Sequence, residues 1–277
     1  MKDELITFPA WRIVDGLKRG QFSAIDVANA FIARTREVDK NFKAWTHLNE
    51  SYVLRQAESV DGNPFKGPFA GVPVGVKDVF NTEVFPTEMG SRIWAAHHAG
   101  NDARSVSYVR RDGGVIMGKT DTAEFAVHHP GRALNPWDPE VVTGTSSGGS
   151  AVAVATGSVP VALSTQTAGS IIRPSSWCGV YGMKPSFGLI PRTGVLKTTD
   201  TLDNIGFHGR SVEDLELTLK TLQVSGDNHP LQTERLAHFC HEQPQNIKVG
   251  FLKGVFWNDT PKYLREDMDN LASQIDG

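Results

Sequence analysis

The apolar positions of this chain change their period partway along it. Near the start they recur at helical spacing. A helix is expected over residues 11–19, closed by Gly20, which adopts the left-handed cap conformation at little cost. A second helix begins at Ser23, where Ser23-Ala-Ile-Asp26 reads as a capping box with Asp in place of Glu. Its apolar face runs Val27, Ala28, Phe31 and Ile32. From residue 62 to 209, short β-branched runs alternate with helical stretches: GVPVGVKDVF, SVSYVRRDGG, VIMGKT, SAVAVATGS and VPVALSTQ. Such alternation predicts an α/β fold with a largely buried sheet. Ser211-Val-Glu-Asp214 then caps a helix whose apolar positions include Val212, Leu215 and Leu219. A polar stretch over 227–246 reads as a surface connection, followed by a strand over 247–252 and an amphipathic helix from near Thr260. The expected division is a helical segment (1–61), a core (62–210) and an extension (211–277).

Composition narrows the function without naming it. The chain has 277 residues, 39% hydrophobic and 21% charged, which is ordinary for a globular protein. A net charge of −3 gives no global pull toward nucleic acid or an anionic membrane. The longest apolar run, AVAVAT from Ala151, is far too short to cross a bilayer, and the opening MKDELITFPAWRIVDG lacks a secretory signal core. Two cysteines, Cys178 and Cys240, suit a reducing compartment, so a cytoplasmic location is expected.

Three stretches compete for the chemistry. Gly113-Gly-Val-Ile-Met-Gly118-Lys119-Thr120 matches the phosphate-loop string, which would make the chain a nucleotide-binding protein. Its middle, however, reads as a strand after a charged helix end, with Lys119 exposed where the strand stops. Gly144-Thr-Ser146-Ser-Gly148 matches a nucleophile elbow, but turn formers precede it in place of a strand. The histidines it would need (His208, His229, His238, His241) sit in no recognisable setting. The third is the run GTSSGGSAVAVATGSVPVALSTQTAGSIIRPSSWCGVYGMKP from Gly144 to Pro185, with GVPVGVKD and its Lys77 upstream and GKTDTAEFA between.

This ordered set resembles the amidase signature family over nearly the whole chain. The resemblance implies a mixed central sheet covered by helices on both faces. It also implies amide hydrolysis through an acyl-enzyme, with an amide substrate and water as the small-molecule partners and no cofactor or metal. Ser170 would be the nucleophile, Ser146 the relay held by a cis peptide bond, and Lys77 the general base acting through it. The N–H groups of Thr167, Ala168, Gly169 and Ser170 would form the oxyanion hole, with Ser147 and Gln166 in support. Many members have Asp where Gln166 stands and Gly where Ala168 stands, with Arg two positions after the nucleophile, where Ile172 stands here. TQTAGSIIRP is closer to malonamidase-like members, in which an Arg at the Arg173 position holds a substrate carboxylate. Ammonia-channelling amidotransferase subunits share the fold but usually carry the Asp-Thr-Gly-Gly-Ser form.

Cys178, in SSWCGVYG, reads as a buried structural thiol, and His97-His98 and His128-His129 read as exposed loop residues. Family members are longer, so the chain is expected to be a fragment, a cleaved product or a short form. Its last helix would then expose Tyr263, Leu264, Met268 and Leu271, and the chain would be either an enzyme lacking part of its pocket or a non-catalytic remnant acting with a partner. A homodimer is compatible with either.

Overall fold

The computed structural model describes residues 2–63, 67–127, 129–224 and 248–276. It divides into two compact units, Met1–Leu231 and Gln232–Gly277. The first opens with helices α1 (Lys2–Leu5), α2 (Ala10–Lys18) and α3 (Ala24–Phe42). Local chemistry sets these ends. Gly20 takes φ +66° after α2, and Ser23 and Asp26 exchange both bonds of the capping box. Asp61 adds two more acceptors for the first N–H groups of α3, those of Ala24 and Ile25. Val27, Ala28, Phe31 and Ile32 are buried, as the spacing predicts.

Among the described residues six strands form one sheet: β1 (Trp45–Leu48), β2 (Pro73–Lys77), β3 (Val115–Thr120), β4 (Val161–Gln166), β5 (Tyr181–Met183) and β6 (Asn204–Gly209). Their order is β1-β3-β2-β4-β6-β5. β3, β2 and β4 are parallel, while β1 and the β6–β5 pair run antiparallel at the sides, so the sheet is mixed. Successive strand residues face opposite sides, yet every residue of β2, β3 and β6 is buried, so both faces are covered. The cover includes α4 (Glu50–Gly62), α5 (Arg104–Arg111), α6 (Gly148–Ala155) and α8 (Val212–Leu222), which pack on strands; α7 (Ile172–Cys178) leads into β5. β1 and α4 carry no strong sequence pattern, because β1 is a short, half-exposed edge strand.

The phosphate-loop string is a strand here, and Lys119 is not exposed. It is fully buried, and its Nζ donates to Asp78 Oδ1, Pro86 O and Thr87 Oγ1, each at 2.9 Å. Gly118 also has a structural reason, since a Cβ there would collide with the His47 carbonyl of β1. No turn of free N–H groups remains to cradle a phosphate. In the register of β2 and β3, Val76 lies opposite Lys119 and Lys77 opposite Thr120. The two lysines therefore point to opposite faces of the sheet.

In the second unit a helix, α9 (Lys262–Asp276), forms as expected, with Tyr263, Leu264, Met268 and Leu271 exposed. The strand expected over 247–252 is not found over 248–252, where the chain is irregular. An apolar run becomes a strand only if a neighbour takes its N–H and C=O groups, and the described residues of this unit offer none. The stretch 227–246 lies outside the described residues.

Candidate active site

The site begins at the C-terminal end of β2. The apolar run before Lys77 holds the strand in the core, so its last side chain is carried inside with it and is fully buried. An ammonium has three protons to donate, and each meets a hydroxyl: Ser146 Oγ at 2.7 Å, Ser147 Oγ at 2.9 Å and Thr165 Oγ1 at 3.0 Å. Burial away from water lowers the Lys77 pKa to about 7, with Asp203 pulling the other way. The amine is thus half neutral near pH 7.

Ser146 and Ser147 arrive on a tight loop before α6. Gly144 (φ +84°) and Thr145 (φ +79°) reverse the chain there, and a Cβ on Gly144 would lie 2.6 Å from Pro174 N. Thr122 Oγ1 and Ala123 N–H donate to the Ser146 carbonyl at 2.9 and 3.2 Å, which fixes that residue's backbone. The peptide bonds are all trans among the described residues, so the cis bond expected at Ser146 is not present; two consecutive left-handed residues make the bend instead. No strand leads into Ser146, and the buried His208 bonds Ser175 at 3.0 Å, so among the described residues no elbow with a histidine base is assembled; His229, His238 and His241 lie outside them.

Ser170 lies on the turn between β4 and α7, partly exposed, and its Oγ has no hydrogen-bond partner among the described residues. The structure therefore joins Lys77 to Ser146 and Ser147 but draws no bond from Ser146 to Ser170. Around Ser170, the N–H groups of Thr167, Ala168, Gly169 and Ser170 donate to no acceptor among the described residues. The next two N–H groups, of Ile171 and Ile172, are taken by Gln166 Oε1 at 2.9 and 3.0 Å. Gln166 thereby anchors the far side of the four-residue turn to the strand it leaves.

Arg173, exposed on the first turn of α7, donates to Thr145 Oγ1 at 3.2 Å and has no carboxylate partner among the described residues. Its guanidinium lies over Gly169, where a Cβ would come within 2.9 Å of Arg173 Nε. Cys178 is buried, and burial pushes its thiol up to about 12, which makes it inert as a nucleophile. His97, His98 and His129 are exposed, and no group of side chains suited to a metal ion occurs among the described residues. No described helix is long and apolar enough to cross a membrane.

Thr165 and Asp203 belong to the site without having been foreseen. Thr165 is the third acceptor for Lys77. Its only sequence signal is a hydroxyl near the end of an apolar strand, on the same face as Leu163. Asp203 lies in the turn-rich stretch before β6 and accepts from Thr167 Oγ1 at 2.6 Å, and nothing in its local pattern marks it.

Comparison with known proteins places the chain in a family. The family model for amidases matches residues 26–277. A glutamyl-tRNA(Gln) amidotransferase subunit from Natranaerobius thermophilus is 37% identical over 278 residues, which is 94% of this chain and 56% of that protein. The peptide amidase of Stenotrophomonas maltophilia is similar in structure, with a TM-score of 0.77 at 27% identity over 82% of this chain and 51% of that one. A 6-aminohexanoate cyclic dimer hydrolase gives a TM-score of 0.80 at 28% identity, over 88% and 53% of the two chains. The chain spans little more than half the length of these relatives. The family match takes in the strand of Lys77, the loop of Ser146 and the turn of Ser170 together, and the chain belongs to the amidase family.

Proposed function

We propose that the chain carries the reacting groups of an amide hydrolase that works through an acyl-enzyme on Ser170, on a small carboxamide with a nearby carboxylate. The observation that supports this most is the buried Lys77, held near pH 7 by burial and bonded to Ser146 at 2.7 Å. Ser170 Oγ attacks the amide carbon while its proton passes to Ser146 and the Ser146 proton passes to neutral Lys77. The oxyanion that forms is met by the N–H groups of Thr167 to Ser170, which have no acceptor among the described residues. The C–N bond then breaks as Lys77 returns a proton, through Ser146, to the leaving nitrogen. Water, activated by the same relay, releases the acid and restores Ser170. Arg173, beside the turn and without a carboxylate partner among the described residues, suits a substrate carboxylate through paired N–H bonds. The free thiol of Cys178 fits a cytoplasmic setting.

The alternative is that ammonia released by the same acylation goes to a partner chain. It draws on the curated relative named for amidotransferase activity. Gln166 and Ala168 weigh against it, because they depart from the form usual in amidotransferase subunits.

Incubation with a fluorophosphonate and mass mapping of the labelled peptide tests the assignment. Label on Ser170, lost in Lys77→Met, is the expected result. Label on Ser146 alone, or none on a folded chain, refutes it; the latter leaves the non-catalytic remnant.

A further inference from the structure

We propose that Asp203 is a positioning residue of this site: by gripping the Thr167 hydroxyl together with the Thr198–Thr199 turn, it fixes the first residue of the oxyanion loop. The inference rests on the amide-hydrolase assignment and extends it to a residue outside the serine–lysine set. Asp203 is buried, at 7% exposure, and forms no salt bridge among the described residues. Five donors converge on it instead. Oδ1 accepts from Thr167 Oγ1 at 2.6 Å, Thr198 Oγ1 at 2.8 Å and Thr199 Oγ1 at 3.2 Å. Oδ2 accepts from the N–H groups of Thr198 at 2.6 Å and Thr199 at 2.9 Å.

Four of those donors would suffice to tie a turn. The fifth reaches across to the residue whose own N–H opens the oxyanion loop. Gln166 holds that loop from the helix side through Ile171 and Ile172, so Asp203 and Gln166 clamp it from two directions. A preorganised donor set depends on such a clamp, because a loop free to rotate loses the aim of its N–H groups. The same carboxylate acts on Lys77. Partial burial raises the Asp203 pKa, but hydrogen bonds from Thr167, Thr199 and Thr198 outweigh it and hold the group at about 2, so it is ionised at any working pH. Its charge raises Lys77 against the larger lowering by burial.

The other charged groups around Lys77 do not duplicate this. His208 on β6 is kept neutral, at about 3, by burial and by Lys77 itself. Asp78, next in the chain, is spent on Lys119 across the sheet. Arg192 lines the same narrow pocket as Thr165, Thr167 and Asp203, but its guanidinium donates to Thr199 O and Asp200 O.

The test uses the 277-residue chain with Asp203→Asn, Thr167→Val and Thr167→Ser. Lys77 is titrated by NMR of 13Cε-lysine, and Ser170 labelling by a fluorophosphonate is timed across pH. Asp203→Asn is expected to lower the Lys77 midpoint by about half a pH unit or more, and Thr167→Val to leave it in place. Both slow labelling by about tenfold or more, and Thr167→Ser recovers at least half of the rate lost in Thr167→Val. An unmoved midpoint in Asp203→Asn with labelling within twofold of the parent overturns the proposal. If Asp203→Asn does not fold, equal labelling in Thr167→Val and Thr167→Ser overturns it instead. A parent chain never labelled on Ser170 sinks the hydrolase assignment alone, and the backbone amide shifts of Thr167 to Ser170 then decide the role of Asp203: moved in Asp203→Asn they support the clamp, unmoved they overturn it.

Discussion

Replacing Lys77 by Met should make this protein more stable at neutral pH while removing its labelling by fluorophosphonate. In the fold Lys77 titrates at about 7, below the ordinary 10.5 of a lysine. Between those values the unfolded chain holds one proton more than the fold, so stability from this group rises with pH from about 7 to about 10.5. Below 7 the buried amine costs a constant amount, about 5 kcal/mol at about 1.4 kcal/mol per pH unit. Methionine has nearly the same length and no charge to desolvate, so the substitution relieves that cost. Against this, the buried Ser146 hydroxyl loses its partner, at about 1–3 kcal/mol. Thr165 is half-exposed and can turn to water, and Ser147 keeps its bond to the Thr165 carbonyl.

At pH 7.5 the cost has fallen to about 4 kcal/mol, so the net gain there is about 1–3 kcal/mol, worth about 2–12 °C in Tm for a chain of this size. Urea unfolding of both proteins between pH 7.5 and 9 measures it. Cys178 and Lys119 titrate abnormally as well, but they are common to both proteins and cancel in the difference. The advantage of the variant should shrink by about 2 kcal/mol over that interval as the parent gains stability. A variant less stable than the parent at pH 7.5, or a difference that does not change with pH, refutes the buried-amine account.

Two further outcomes are expected. Arg173→Ala should cut kcat/KM for a carboxylated amide by about 10–100-fold while leaving a neutral amide of similar size unchanged, and equal losses on both would remove the carboxylate from the proposed substrate. Asp78→Ala strands the buried Lys119 charge and should cost about 3–5 kcal/mol in urea unfolding, most of which the double variant Asp78→Leu/Lys119→Met restores; a single variant as stable as the parent would show that the pair does not hold the loop at Pro86 and Thr87.

Features whose cause lies within a few residues were readable in advance. The Ser23–Asp26 box, the cap at Ser211 and the strand of Val115 to Thr120 are of this kind. Features that depend on a distant partner were not. Lys119 looked exposed because the sequence offers no hint that Asp78 awaits it across the sheet. Lys77 could be placed at the end of its strand, but two of its neighbours, Thr165 and Asp203, come from β4 and from the approach to β6, which only the sheet order brings beside it. The run over 248–252 has strand composition without a neighbour, and composition alone does not make a strand. The bend at Ser146 is a matter of backbone angles, for which Gly144 was a signal and Thr145 was not.

The opposed orientation of Lys77 and Lys119 has a consequence for how the protein can change. Two buried ammonium groups on adjacent strands would, on one face, suppress each other's protonation and so tie the stability of the loop at Pro86 and Thr87 to the basicity of the candidate base. The sheet keeps them apart as a partition does. One side carries a lysine paired with a carboxylate, and the other a single exchangeable proton among hydroxyls. Mutation can retune the proton side without disturbing the paired side, and the pair supports the fold without entering the chemistry.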